Sequence, residues 1–251
     1  MNPFVHTEVN GSVATITFFH PASNSFPSDQ LAELVNAIHK LEEKSEIAVV
    51  VLKSAGEKAF CAGASFDELL QVSDATNGLK FFSGFAHVIN AIRKSSKIFV
   101  GRIQGKAVGG GVGIAAACDY TFAHTQASIK LSELSIGIGP FVIEPAVSRK
   151  IGVPAMSEMT LEATSWKSAQ WAFENKLFTQ LFNDIEQLDQ QLNAFVKQLS
   201  SYNPEALREM KRVMWNGTEH WDQLLIDRAK ISGRLVLSDF TKKALQQFKS
   251  K

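Results

Sequence analysis

The chain is poor in the residues that most often announce chemistry. It has two cysteines, Cys61 and Cys118, and neither sits in a C-x-x-C pair. That excludes a zinc ribbon or a thioredoxin-like centre, and both thiols are expected to be reduced core residues of an intracellular protein. Histidines are few, and His87, His124 and His220 show no spacing that suits a metal or a catalytic triad, so no metal is expected. Excess charge of one sign is missing too. Lys and Arg number 26 against 25 Asp and Glu, spread without long blocks, which argues against a nucleic-acid partner. No apolar run is long enough to span a bilayer. The first residues lack a basic lead and an apolar signal core, and the last three are not a Ser-Lys-Leu address. A soluble cytoplasmic protein without a membrane partner is therefore expected.

What is abundant is apolar sequence, 45% of 251 residues, enough for one large domain with a sizeable core. Residues 13–18 are β-rich after a turn at Asn10-Gly11, and Ser28 is placed to cap a helix whose Leu31, Leu34, Val35, Ile38 and Leu41 share a face. Residues 47–52 form a continuous apolar strand, expected to be buried on both sides and parallel to its neighbours. Residues 98–103 read the same way. A helix over about 78–94, short strands over 120–123 and 128–131, and a helix with Pro140 near its start follow. From about residue 168 helix dominates, over 188–199, 204–215 and 221–237, broken at Asn203-Pro204 and Asn216-Gly217. The recurring order of strand, small-residue turn and helix makes this an α/β protein. We divide it into a core over 1–190 and a helical region over 191–251.

Two small-residue turns carry the chemistry. Lys58-Ala59-Phe60-Cys61-Ala62-Gly63-Ala64-Ser65 follows one buried strand, and Gly105-Lys106-Ala107-Val108-Gly109-Gly110-Gly111-Val112-Gly113 follows another. Glycines opening a buried helix let a ligand approach bare main chain and aim free N–H groups at it. Two such turns can bring two N–H donors to one point, as an acyl oxygen gathering negative charge requires. The overlapping G-x-G-x-x-A at Gly111, Gly113 and Ala116, with Glu133 about twenty residues on, also fits a dinucleotide fingerprint. That reading wants the acid at the end of the strand after the first helix, and it leaves the turn at 59–64 unexplained.

Residues 59–64 are similar to the first oxyanion motif of the crotonase superfamily, the enoyl-CoA hydratase/isomerase family. Gly105 to Asp119 resembles the second, and Leu131-Ser132-Glu133-Leu134 with Gly137 resembles the acid-bearing segment. The resemblance implies a crotonase-like spiral of ββα units with a helical C-terminal region. It also implies a homotrimer or dimer of trimers, and an acyl-CoA substrate with no cofactor beyond the coenzyme A thioester itself. By motif position, the N–H groups of Ala64 and Gly110 would form the oxyanion hole and Glu133 would be the acid-base group. Ala62, Gly109 and Phe60 would touch substrate.

Two positions depart from the family pattern. Ser65 stands where Asp is usual, and Gly113 stands where the hydratases carry the first of two glutamates. One carboxylate suffices for a proton shuttle, and the segment through Pro140-Phe141 resembles the single-glutamate Δ3,Δ2-enoyl-CoA isomerases. The expected reaction is therefore 3-enoyl to trans-2-enoyl isomerisation through a thioester dienolate. The alternatives are a hydratase using Glu133 with a non-standard second group, and a non-catalytic acyl-CoA-binding homologue. Glu144, one turn past Pro140, is read as a helix-start charge, with a second acid as the alternative.

Overall fold

Alternating apolar residues build the first hairpin. In the computed structural model, which describes residues 1–249, β1 (Phe4–Asn10) and β2 (Val13–Phe19) pair antiparallel across the Asn10–Gly11 turn. Ala14, Ile16 and Phe18 face the core. α1 (Ser28–Glu42) follows and buries Leu31, Leu34, Ile38 and Leu41. Ser28 is not its cap. Pro27 holds that position, and Ser28 donates its N–H (3.0 Å) and its hydroxyl (2.6 Å) to Glu68 Oε2. A carboxylate from elsewhere in the chain thus supplies the negative charge a helix start favours.

The next stretch repeats one plan. β3 (Val49–Ser54) and β4 (Ala59–Cys61) lead to α2 (Phe66–Leu70) and α3 (Ala75–Lys94). β5 (Ile98–Ile103) and β6 (Lys106–Val108) lead to α4 (Gly110–Ala117). β7 (Tyr120–His124) and β8 (Ser128–Lys130) lead to a 3-10 turn over Glu133–Ile136 and to α5 (Glu144–Leu161). β9 (Lys167–Ser168), α6 (Ala169–Glu174) and β10 (Gln180–Phe182) complete the strands. The larger sheet has the order β1-β2-β3-β5-β7-β10 and the smaller β4-β6-β8-β9. Each repeat therefore gives one strand to each sheet and then a helix, so both sheets advance together. This is the spiral of ββα units. β2, β3, β5 and β7 run parallel, and β3 is buried on both faces: Val50 and Leu52 enter the main core, while Val49 and Val51 enter a second cluster.

Four helices end the described chain: α7 (Ile185–Leu199), α8 (Pro204–Met214), α9 (Trp221–Leu235) and α10 (Asp239–Lys249). The expected boundary at 190/191 falls inside α7. Leu188 and Leu192, on either side of it, join one cluster with Val49, Val51, Ile98, Val100 and Phe122, so the sheet's outer face needs the whole helix. The expected helix at Pro140 starts instead at Glu144 with Pro145 in its first turn, because residues 140–143 form a preceding turn. The stretch read as one helix over 221–237 ends at Leu235, and α10 is separate.

α8 is tied to the core by a buried ion pair. Lys211 Nζ lies 2.6 Å from Asp119 Oδ2, with side-chain exposures of 2% and 6%. Asp119 also accepts from Trp215 Nε1 (2.7 Å) and from the Phe99 main-chain N–H (2.8 Å), so the charge is surrounded by donors. Among the described residues no helix is long and apolar enough to cross a membrane.

Candidate active site

The two small-residue turns meet. Phe26 donates its N–H to Gly63 O (2.8 Å) and accepts from Ser65 N–H (2.9 Å), a parallel bridge in which the Ala64 N–H takes no part. Gly63 has φ +89°, and a Cβ built there would fall 3.6 Å from Gly110 N and 2.9 Å from Val108 O. Only glycine allows this approach. Gly110 opens α4, so its N–H has no acceptor within that helix. Ala64 and Gly110 both line a cavity of about 210 Å³. Ser65, in place of the family's usual Asp, caps α2 by accepting from Glu68 N–H (3.4 Å).

The consecutive glycines have separate spatial reasons. A Cβ on Gly111 would fall 2.4 Å from Cys61 O, in the first turn, and one on Gly110 would strike the Phe85 ring at 2.3 Å. A Cβ on Gly109 would fall 2.7 Å from Glu133 Oε1. Gly109 has φ +52° and ψ −117°, a conformation that also favours glycine.

Glu133 begins the 3-10 turn that closes at Gly137 in the left-handed region. The residue is half-buried and lines the cavity, and its Oε2 is buried without a hydrogen-bond partner among the described residues. Burial raises its carboxyl to about 7, against a smaller downward pull from its own main-chain N–H. A carboxyl in a cleft, with one oxygen unpartnered and its pKa raised to about 7, is suited to taking and returning a proton.

The remaining expected residues separate. Ala62 and Gly109 line the cavity with Ala64, Gly110 and Glu133. Phe60 does not: it is fully buried and its ring packs edge-on to Phe18 at 5.6 Å between centroids. Motif position carries the turn itself to the cavity, while Phe60 lies in β4 and is spent on the core. Glu144 is outside the cavity lining; its Oε1 accepts from Ser148 Oγ (2.6 Å) and its Oε2 lies 3.5 Å from Arg228. At Gly113 a Cβ would fall 2.4 Å from Ile143 Cγ2, so no side chain fits there. Glu133 opens a 3-10 turn instead of ending a strand, against the dinucleotide reading.

Phe81, Phe82 and Phe85 of α3 line the cavity as well. The motifs of the sequence give no lining role to Phe66, Phe141 and Ser232, which also line it. Spacing signals none of these, since each reaches the wall from a different element.

Comparison with known proteins agrees with this geometry. The profile described as enoyl-CoA hydratase/isomerase matches residues 8–251. The short-chain-enoyl-CoA hydratase of Clostridium acetobutylicum is 28% identical over 247 residues, 96% of this chain and 92% of that protein. The bacillaene synthase dehydratase PksH of Bacillus subtilis is 31% identical over 173 residues, 64% of this chain and 66% of its own. Among solved structures, an enoyl-CoA hydratase from Bacillus halodurans superposes with TM-score 0.89 at 22% identity, covering 97% of this chain and 99% of that one. At that identity the likeness speaks for the fold alone. With the profile spanning nearly the whole sequence, this chain belongs to the enoyl-CoA hydratase/isomerase family.

Proposed function

We propose that this protein moves the double bond of a 3-enoyl-CoA into conjugation, giving the trans-2-enoyl thioester. Glu133 takes the C2 proton, and the electron pair spreads over the dienolate onto the thioester oxygen. The N–H groups of Ala64 and Gly110 hold that oxygen, and Glu133 returns the proton at C4 as the C2–C3 double bond forms. Nothing is gained or lost but position, so no cofactor is needed beyond the thioester itself. A preorganised donor of this kind is worth about 3 kcal/mol of barrier. The proposal extends to assembly, as a homotrimer or a dimer of trimers, which the family resemblance supports.

The observation that carries this reading is the single carboxylate. Glu133 is the one acid lining the cavity among the described residues, and Ile143 fills the space beside Gly113 where the hydratases carry another. A buried carboxyl oxygen without a partner also argues against a merely structural homologue, because such a group is costly to keep.

The relatives' names support a second reading. The Clostridium protein is named a hydratase, PksH a dehydratase, and a 25% identical Escherichia coli protein a carnitinyl-CoA dehydratase. In that reading Glu133 handles both protons and water is held by a non-standard group. Offering cis-3-, trans-3- and trans-2-enoyl-CoA side by side separates the two. Isomerisation of the 3-enoyl thioesters should outpace hydration by at least tenfold; efficient hydration of the trans-2 thioester would overturn the proposal.

A further inference from the structure

The ladder of the larger sheet stops at β1, which has β2 on one side and no strand on the other among the described residues. Its residues pair with those of β2 in unbroken register, from Phe4 with Phe19 to Asn10 with Val13. Proteins commonly guard such an edge with a bulge, a lysine or an internal proline. β1 has none of these.

β2 decides which main-chain groups of β1 face outward. Ser12 O and Phe18 O accept from the N–H groups of Ala48 (2.9 Å) and Ala55 (2.8 Å), which flank β3. Direction alternates along a strand, so Val13, Thr15, Thr17 and Phe19 turn to β1 and engage Asn10, Glu8, His6 and Phe4. Val5, Thr7 and Val9 keep their N–H and C=O groups on the open edge. Pro3, with no N–H to give, precedes them, and the turn at Gly11 follows.

This outward set is symmetric about Thr7, and so is the chemistry around it. In an antiparallel pair of copies centred there, Thr7 meets Thr7, Val5 meets Val9, and His6 meets Glu8. A neighbouring register that keeps the outward groups aligned sets His6 against His6 or Glu8 against Glu8, and like groups directly opposite repel. Val9, 45% exposed, gains an apolar neighbour in the centred register. The three side chains overhang a groove of about 940 Å³ against α1. Glu33, Glu43, Lys40 and Lys44 give that groove balanced charge, so two of them brought together do not repel.

We infer that β1 is an interface for a second copy of this chain, the two joining antiparallel about Thr7 into one continuous sheet with His6 of each opposite Glu8 of the other. The inference goes beyond the proposed function and rests on none of it. A self-complementary contact doubles whatever unit carries it, a single chain or a trimer.

Cysteine substitution and charge exchange test the register. Cys61 and Cys118 are buried, so an added thiol reports on its own position. Under mild oxidation Thr7→Cys should give a disulfide-linked pair on a non-reducing gel. Val9→Cys should not, since residue 9 of the two copies would be about 13 Å apart along the ladder. In sedimentation, His6→Glu and Glu8→Lys should each weaken association about tenfold, because both symmetry-related pairs turn unfavourable. Mixing the two variants should restore it, Glu at residue 6 then facing Lys at residue 8. Linkage through residue 9 and not 7, or one mass for wild type, both variants and their mixture, overturns the inference. An edge reserved for a strand of another protein would leave Thr7→Cys unlinked, which overturns it too. Turnover of a 3-enoyl-CoA is a separate measurement, and the proposed function stands or falls by that alone.

Discussion

The Glu133 carboxylate rests on the bare Cα of Gly109: a methyl group at residue 109 would fall 2.7 Å from Oε1. The acid is held where it is because a neighbour has no side chain. Gly109→Ala should push the carboxylate from the cavity and strain a backbone at φ +52°. Misplacement of a reacting group by about 1 Å can cost 10²-fold, so turnover should fall by about that factor while acyl-CoA affinity changes little. Steady-state kinetics beside calorimetric binding checks the split.

Glu133→Gln keeps the shape and removes the proton exchange. General acid-base groups contribute about 10²- to 10⁴-fold, and the loss should appear in kcat with acyl-CoA affinity nearly intact, since the oxyanion donors are main-chain. Retained turnover would remove Glu133 from the mechanism.

The same carboxyl sets a pH dependence. Its ordinary value of 4.5 is raised to about 7 by burial, so kcat/KM for a 3-enoyl-CoA should rise through neutrality and level off above it. Stability should run the other way. Between 4.5 and about 7 the folded state holds a proton that the unfolded state has lost, so stability falls as pH rises through that window and is flat above it. The span is worth about 3 kcal/mol. Glu133→Gln should abolish this slope and leave the protein more stable than wild type at pH 8, as read by urea denaturation.

Gly113 is closed to any side chain by Ile143. Gly113→Ala should destabilise by about 1–3 kcal/mol, the usual cost of overpacking a core. Ile143→Ala in the same chain should recover part of the loss, and a double-mutant cycle measures that coupling. Additive losses would mean the two side chains do not compete for space.

Lys211→Met leaves Asp119 charged and buried without its cation. The expected destabilisation is about 3–5 kcal/mol, measured by chemical denaturation. A change under 1 kcal/mol would show that Trp215 Nε1 and the Phe99 N–H alone satisfy the carboxylate.

The sequence makes some of this legible and hides the rest for identifiable reasons. β5 is read at its true ends because its apolar run is bounded sharply, and the parallel sheet follows from β3 being apolar on both faces. The glycine turn is legible because close approach of backbones demands small residues. β1 is missed because three of its last four residues are exposed, which dilutes the alternation. Ser28 looks like a cap until Glu68, forty residues on, takes over that service. Glu133 emerges as the acid-base group only through family resemblance, since its burial comes from neighbours that no local pattern encodes. Phe60 shares the motif of the first turn, yet its ring is taken up by the core beside Phe18, which motif position does not reveal.

The stretch that carries Ala64 is clasped twice by one short piece of chain, through Phe26 at the bridge and through Ser28 at Glu68. Under the proposed mechanism an arriving thioester thus meets an amide already locked in its working attitude. None of the binding energy goes into ordering that loop, and all of it is left for gripping the acyl tail.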